Sequence, residues 1–411
     1  MGDRLTISLL NLCARIDKHP ETDRRLLHLL ARYTQWDDLL HKAERQGMAP
    51  LLYRHLSSLP WTFPDVFIRR LRFLTLHHKQ ANAMLLQSLQ GILETLQQHD
   101  IPVLVLKGAA LCNTLYPEPG LRPMRDIDLL LPPEHIHHAQ ELLQKTGLCL
   151  SRSIVPEDHF HLTPLYQKVN GYSICVELHH GLFPNCPPYT EMPPFDVLYE
   201  RAFAFKFNNG QVAATLAHED MLWHLYEHGF HPPLTYEPYK IVTVADIISL
   251  VEKYNKHLDW DRIRSVYPHL MRALPLLHFI SPWNKEMKNQ LWKTRKKIPS
   301  GAGVRFQGWP QRRLAVQKQK SIWTIFSTTF IPSQWWILIY YCPVGWFGYV
   351  RCRFIQHPLH VFWWVQLYWA IFRKQCQVQQ ADGSVTWRTW PGLAAVMNVC
   401  CLIREMYNKI R

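Results

Sequence analysis

Apolar residues repeat at helical spacing through the first hundred residues of the chain. Residues 21–31, 36–43 and 49–56 form three short amphipathic segments, and a longer one covers about residues 64–98. The apolar stripe of the long segment consists of Leu85, Leu86, Leu89, Ile92, Leu93 and Leu96. This periodicity predicts an N-terminal helical region over residues 1–98.

The pattern changes near Ile101-Pro102, where short apolar runs begin to alternate with helical segments. Residues 103–106 are apolar throughout and predict a buried strand. A helix is predicted over residues 108–115, followed by strands over 127–131 and 172–179. Pro133 suits the first turn of a further helix that runs to about residue 145. The alternation predicts an α/β or α+β domain over residues 99–210.

Helical periodicity returns over residues 219–228 and 242–252 and again from Asp259, which predicts a helical domain over 211–284. Residues 285–320 contain several Pro and Gly residues and predict a mobile basic connection. Residues 321–350 carry no Lys, Arg, Asp or Glu and are crowded with aromatic residues. A second aromatic run follows over residues 361–372, so residues 321–411 are predicted to form an aromatic-rich helical region.

Composition and charge limit the classes of protein that fit this pattern. The 411 residues are 47% hydrophobic and 19% charged, which allows two or three domains with proper cores and excludes a disordered chain. The formal net charge is +14, and eleven Lys and Arg lie between Lys285 and Lys320 against the single acid Glu286. This basic segment fits phosphate-rich partners, namely nucleic acid, nucleotide or anionic membrane, and it fits a solvated linker equally well.

Cysteine usage and the N-terminus predict the compartment. The ten cysteines include no C-x-x-C pair, and the first residues lack the charged and apolar segments of a secretion signal. We therefore expect a cytoplasmic protein. Pro332 and Pro343 interrupt the first aromatic run, which favours peripheral contact of residues 321–372 with the inner membrane over a spanning helix. The alternatives are a Trp-rich helical core and, less favoured, a nucleic-acid surface.

Two carboxylates lie one residue apart at the start of the second predicted strand. Residues i and i+2 of a strand point to the same face, so Asp126 and Asp128 converge while Ile127 faces the opposite way. Convergent carboxylates repel each other unless a cation lies between them, and oxygen ligands favour Mg²⁺. The pair indicates metal-assisted phosphoryl or nucleotidyl transfer.

Several other residues could complete such a site. Glu177 and His179 share one face of the third predicted strand, where Glu177 is a candidate third carboxylate and His179 a candidate substrate or metal contact. Lys107 and Arg122, with Arg125 beyond them, are candidate phosphate ligands. Gly108 permits close backbone approach at the start of a helix, where anions bind.

A zinc site is an alternative use of the histidines. His224, His228 and His231 share one helical face, and His179-His180 lies near Cys186. The sequence shows no fourth ligand, and 23 histidines in one chain make coincidental spacings common. The spacing therefore favours core or surface histidines over a zinc site.

Three motifs resemble a bacterial family of nucleotidyltransferases in the DNA polymerase β-like superfamily. They are Leu106-Lys-Gly-Ala-Ala-Leu, residues 115–131 with Arg-Pro-Met-Arg-Asp-Ile-Asp, and Val176-Glu-Leu-His-His. The resemblance covers about residues 20–270 and implies an α+β fold, in which a small mixed β-sheet is flanked by N-terminal and C-terminal helical regions. It also implies that Asp126, Asp128 and Glu177 bind two Mg²⁺ ions, with Lys107, Gly108, Arg122 and Arg125 at the nucleotide.

The same resemblance implies an activity. A nucleoside monophosphate would pass from a nucleoside triphosphate such as ATP to a hydroxyl acceptor, with release of pyrophosphate. The acceptor could be a small molecule, a sugar, a peptide or a protein side chain. A different class of function is a catalytically weak or inactive nucleotidyltransferase fold that binds nucleic acid or a membrane surface. Ala109 stands where superfamily members commonly carry Ser or Gly, and eighteen residues separate Gly108 from Asp126.

Overall fold

The structure is a computed structural model that describes residues 2–152, 155, 159–184, 189–232, 239–292, 298–306, 308 and 322–363. The chain forms two compact units. The first comprises Met1–Gly229 and Tyr239–Arg295, and the second comprises Phe230–Pro238 and Lys296–Arg411. The domain boundaries predicted at residues 98, 210, 284 and 320 stay predictions.

The first unit contains thirteen helices within the described residues, the ninth of which ends at the unit boundary. They are α1 Gly2–Leu12, α2 Pro20–Leu30, α3 Trp36–Arg45, α4 Ala49–Leu56, α5 Asp65–Gln97, α6 Lys107–Thr114, α7 Ile136–Lys145, α8 Phe195–Glu200, α9 His218–Phe230, α10 Ile241–Tyr254, α11 Trp260–Val266, α12 Pro268–Leu277 and α13 Lys285–Leu291. The four helices predicted over residues 21–98 are confirmed as α2 to α5. The helix predicted from Pro133 begins three residues later, because residues 133–135 form a turn.

One seven-stranded mixed sheet lies among these helices, which confirms the predicted α+β fold. Its strands are β1 Leu104–Val105, β2 Ile127–Leu130, β3 Cys149–Leu150, β4 Leu165–Val169, β5 Tyr172–His179, β6 Phe203–Lys206 and β7 Val212–Thr215, in the spatial order β3-β4-β5-β2-β1-β7-β6. The three predicted strands are found as β1, β2 and β5. The other four strands are additions that only the structure provides.

The register between strands β2 and β5 determines which residues lie beside Asp128. Strand β2 runs parallel to β5 and antiparallel to β1. Its register pairs Asp128 with Glu177 and Leu130 with His179. All four residues of β2 are buried, so one carboxylate is enclosed in the middle of the sheet.

Helix caps and buried apolar residues explain the helical part that follows the sheet. The Asp259 side chain accepts a hydrogen bond from the Arg262 backbone N–H at the start of α11. Asn284 caps α13 in the same way, and Met287 and Leu291 bury one face of this helix. Residues 285–291 of the predicted basic connection therefore form a helix, while residues 293–297, 307 and 309–321 lie outside the described residues.

The described part of the second unit contains α14 Ile322–Phe330, α15 Gln334–Tyr341 and α16 Gly345–Arg351, and residues 357–363 are helical as well. Pro332 and Pro343 lie in the breaks between them, as the sequence indicates. A π-helical turn, Cys352–Gln356, continues α16. Within the described ranges, no helix is long and apolar enough to cross a membrane. Residues 364–411, with most of the second aromatic run, lie outside the description.

Candidate active site

Asp128 is the most enclosed carboxylate of the predicted site. Its Oδ1 accepts hydrogen bonds from Lys107 Nζ and His179 Nε2, each at 3.1 Å, and its side chain is only 4% exposed. Burial opposes the charged form, but the Lys107 charge and the His179 hydrogen bond outweigh it and hold the pKa of Asp128 well below its usual value. Asp128 therefore stays a carboxylate although it is buried.

Glu177 and His179 reach Asp128 from the neighbouring strand. The β2–β5 register places Glu177 beside Asp128, and His179 Nε2 lies 3.5 Å from Glu177 Oε2. One ligand atom from each of the three residues lies within 4.8 Å of the others, which makes them the metal-compatible group among the described residues. Burial lowers the pKa of His179, but its hydrogen bonds to Asp128 and Glu177 raise it above the usual value.

Asp126 stands just before β2 and is half-buried. Burial, followed by the nearby charge of Asp128, raises the pKa of Asp126 to about 6. Among the described residues, the group that could hold a metal ion consists of Asp128, Glu177 and His179 and does not include Asp126. Asp126 thus interacts electrostatically with that group, and its role as a metal ligand stays a prediction.

Lys107 enters the site from the end of β1, where α6 begins. Its Nζ contacts Asp128, and its backbone has a φ of +43°, in the left-handed region that residues other than glycine seldom adopt. Burial lowers the pKa of Lys107, but the charges of Asp128, Asp126 and Glu177 raise it above the usual value. The ammonium group is therefore the counter-ion of the carboxylate cluster.

Arg122, a predicted phosphate ligand, forms an ion pair with a buried carboxylate of the protein. Its guanidinium donates to Asp246 on α10, with Nη2 to Oδ2 at 2.8 Å and Nε to Oδ2 at 3.2 Å. Tyr116 donates its hydroxyl to the other oxygen of Asp246 at 2.7 Å. A Cβ on Gly108 would lie 2.2 Å from Arg122 Nη1, so the glycine leaves space for the guanidinium. Arg125 is exposed.

Asn82 on α5 is a supporting residue that the sequence analysis missed. Its amide donates to the backbone oxygens of Pro119 and Arg122 at 2.7 and 2.8 Å, and its Oδ1 accepts from the Met124 backbone N–H at 3.1 Å. These bonds hold the loop that leads into β2. The sequence does contain a sign of this role. Asn82 is a polar residue three positions before Leu85, on a helix face that is otherwise apolar.

Other histidines lie around the cluster without forming the alternative zinc site. The ring of His161 lies 5.2 Å from that of His179. His224 is fully buried and stacks on Phe183, whereas His228 is exposed although the Lys107 charge lowers its pKa well below the usual value. His231 belongs to the second unit. The described residues therefore offer no zinc-binding group made of the α9 histidines.

The mixed sheet thus carries two carboxylates, Asp128 and Glu177, side by side on the adjacent strands β2 and β5. Residues 33–279, more than half of the 411 residues, match the family described as uncharacterised nucleotidyltransferases. The chain belongs to this family, which confirms the resemblance seen in its motifs. A comparison with curated proteins found no match.

Solved structures with a similar fold include two of the antibiotic-resistance factor ANT(2'')-Ia. The solution structure is 13% identical with a TM-score of 0.30, and covers 47% of this chain and 96% of that chain. The crystal structure with adenylyl-2''-tobramycin is 11% identical and has a TM-score of 0.31. The match covers 44% of this chain and 96% of that chain. An antigenic nucleotidyltransferase-like protein from Paracoccidioides brasiliensis is 18% identical and has a TM-score of 0.27. The match covers 47% of this chain and 89% of that chain.

Proposed function

We propose that the protein is a magnesium-dependent nucleotidyltransferase. It transfers a nucleoside monophosphate from a triphosphate such as ATP to a hydroxyl acceptor and releases pyrophosphate. The observation that carries this proposal is the arrangement of Asp128 and Glu177 on adjacent parallel strands, with Asp126 next to them. Family membership supports the same class of reaction.

The donor atoms at this site suit a divalent cation. Asp126, Asp128 and Glu177 supply carboxylate oxygens, which magnesium prefers, and the ligand atoms of Asp128 and Glu177 lie within 4.8 Å of each other. His179 adds a hydrogen bond that orients Asp128. When bound, magnesium neutralises phosphate charge and lowers the pKa of an acceptor hydroxyl. We propose two ions, as the family resemblance implies.

Other side chains are suited to accept the acceptor's proton and to bind the triphosphate. Glu177 is the more accessible carboxylate, with 23% of its side chain exposed against 4% for Asp128, so it is suited to accept the acceptor's proton. Lys107 and the N-terminus of α6 provide positive charge for the triphosphate. Gly108, Arg122 and Arg125 stay proposed nucleotide contacts. The Asp246 ion pair gives Arg122 a further task, that of positioning the loop before β2.

Labelled nucleotides test this function directly. We expect the purified full chain, incubated with Mg²⁺ and α-³²P nucleoside triphosphates in a cell extract, to attach the label to an acceptor. Omission of the protein and addition of EDTA are the controls, and each should abolish the labelling. A small molecule, sugar, peptide or protein acceptor is then distinguished by its size and its sensitivity to protease. Absence of protein-dependent labelling with any of the four nucleotides would argue against the enzyme and for a binding module.

We also propose that the second unit makes peripheral contact with an anionic membrane, so that a cytoplasmic enzyme works at the inner membrane surface. Val344, just before α16, is 71% exposed, and Trp346 and Phe347, in the first turn of this helix, are 70% and 83% exposed. No acidic residue lies between Glu286 and Asp382. Exposed aromatic side chains in an acid-free segment favour the interface of anionic lipids. This surface is the observation that favours lipid over nucleic acid.

Vesicle binding tests the membrane contact. Replacing Trp346 and Phe347 together by Ser should reduce co-sedimentation with phosphatidylglycerol vesicles by about tenfold or more, because two aromatic side chains no longer enter the lipid. The matched control is Phe73→Ser, which removes a 68% exposed aromatic side chain from α5 in the first unit. Vesicles of phosphatidylcholine alone should bind weakly in every case. Equal binding by the double variant and the control would reject this surface.

A further inference from the structure

Lys107 occupies an unusual place for a residue expected to bind phosphate. Its Nζ lies 3.1 Å from Asp128 Oδ1, and the two side chains are 14% and 4% exposed. The charges of Asp126 and Glu177 also act on the ammonium group. The positive charge of Lys107 thus acts on all three carboxylates that are proposed to bind metal.

The backbone of Lys107 is strained in a way that favours this contact. Its φ of +43° places a non-glycine residue in the left-handed region, which is energetically unfavourable. The next residue is Gly108, which tolerates that conformation, yet Gly108 is not among the positive-φ glycines. Strain of this kind persists only where the surroundings hold it, and the buried contact with Asp128 is such a constraint.

We propose that Lys107 is a built-in counter-cation. In the nucleotide-free protein it neutralises the carboxylate cluster, and it moves to the triphosphate when nucleotide and divalent metal bind together. This inference rests on the proposed function, because it assigns the same carboxylates to the metal. A metal ion and the ammonium group repel each other at one carboxylate oxygen, so metal alone must bind against the Lys107 charge.

The arrangement predicts that metal and nucleotide assist each other's binding. The triphosphate offers Lys107 a new anionic partner and so frees Asp128 for the metal. With Asp128 holding a metal, Lys107 would move toward the phosphates. Coupling between two ligands is reciprocal, so the factor by which nucleotide strengthens metal binding equals the factor by which metal strengthens nucleotide binding.

Binding of Mn²⁺, followed by electron paramagnetic resonance, tests the inference without any catalytic turnover. In the absence of nucleotide, Lys107→Met should bind Mn²⁺ at least about tenfold more tightly than the unchanged protein, because the competing charge is gone. Lys107→Arg keeps the charge and should retain the weak affinity. The matched control is Lys79→Met, since Lys79 forms an exposed ion pair with Glu118 at 3.6 Å.

The α,β-methylene analogue of ATP supplies the second measurement, because it binds without being transferred. It should strengthen Mn²⁺ binding to both proteins, because its phosphate oxygens also bind the metal, but by about tenfold or more in the unchanged protein relative to Lys107→Met. Lys107→Gly removes the same charge and also suits the left-handed backbone, so it replaces Lys107→Met if circular dichroism shows that the Met variant is unfolded.

The outcomes separate this inference from the proposed function. Equal Mn²⁺ affinity in the unchanged protein and the charge-free variant overturns the counter-cation, even if nucleotidyl transfer is observed. Tighter Mn²⁺ binding by Lys107→Met that Asp128→Asn abolishes supports it, even if no acceptor has been found. Mn²⁺ binding that survives Asp128→Asn unchanged overturns both the metal site and the counter-cation.

Discussion

Replacing Asp128 by Asn is expected to lower the rate of nucleotidyl transfer by about a thousandfold or more. The substitution preserves the shape of the side chain but removes the negative charge that the site is built around. The Asp128 side chain is 4% exposed and pairs with both Lys107 and His179. Loss of this carboxylate leaves Lys107 without its nearest counter-ion.

Asp126→Asn should have the same direction of effect, because its charge lies beside the cluster. Single-turnover rates with labelled nucleotide measure both variants, and their thermal unfolding shows whether the fold survives. Asp261→Asn is the matched control, since Asp261 is 93% exposed and pairs only with Arg264 among the described ion pairs. If Asp128→Asn retains transfer within tenfold of the control, the assignment of the active site is wrong.

Replacing Asp246 by Ala is expected to lower the free energy of unfolding by about 3–5 kcal/mol. Asp246 is fully buried and accepts hydrogen bonds from Arg122 and Tyr116, which lie in the segment between α6 and β2. The substitution leaves the Arg122 guanidinium, only 13% exposed, without its carboxylate. An unpaired buried charge is among the most destabilising changes that a single substitution can cause.

Urea unfolding monitored by circular dichroism measures this effect. The double variant Arg122→Met with Asp246→Ala should recover part of the lost stability, because no uncompensated charge remains. Asp37→Ala is the control, since its ion pair with Arg70 is largely exposed and contributes little. A loss below about 1 kcal/mol for Asp246→Ala would show that the ion pair does not hold the loop.

Some elements of this fold follow from local sequence patterns, whereas others depend on contacts between distant segments. Helices α2 to α5 were predictable because each shows its period of apolar residues within a single segment. Strand β5 was predicted with the same ends that it has, since the alternation of its side chains is a local signal. Strands β6 and β7, of four residues each, carry too few positions for a clear pattern. Their pairing is decided by contacts such as Val105 with Thr215.

The site shows the same division. The sequence by itself predicted that Asp126 and Asp128 point to the same side, and it determined that Glu177 and His179 share one face of β5, because side-chain direction alternates along any strand. Only the tertiary structure decided that Asp128 lies beside Glu177, since the β2–β5 register joins segments about fifty residues apart. It also decided the Lys107 contact and the Arg122–Asp246 pair, which spans 124 positions. Contacts of this kind depend on how distant segments pack, and no local period of apolar residues encodes them.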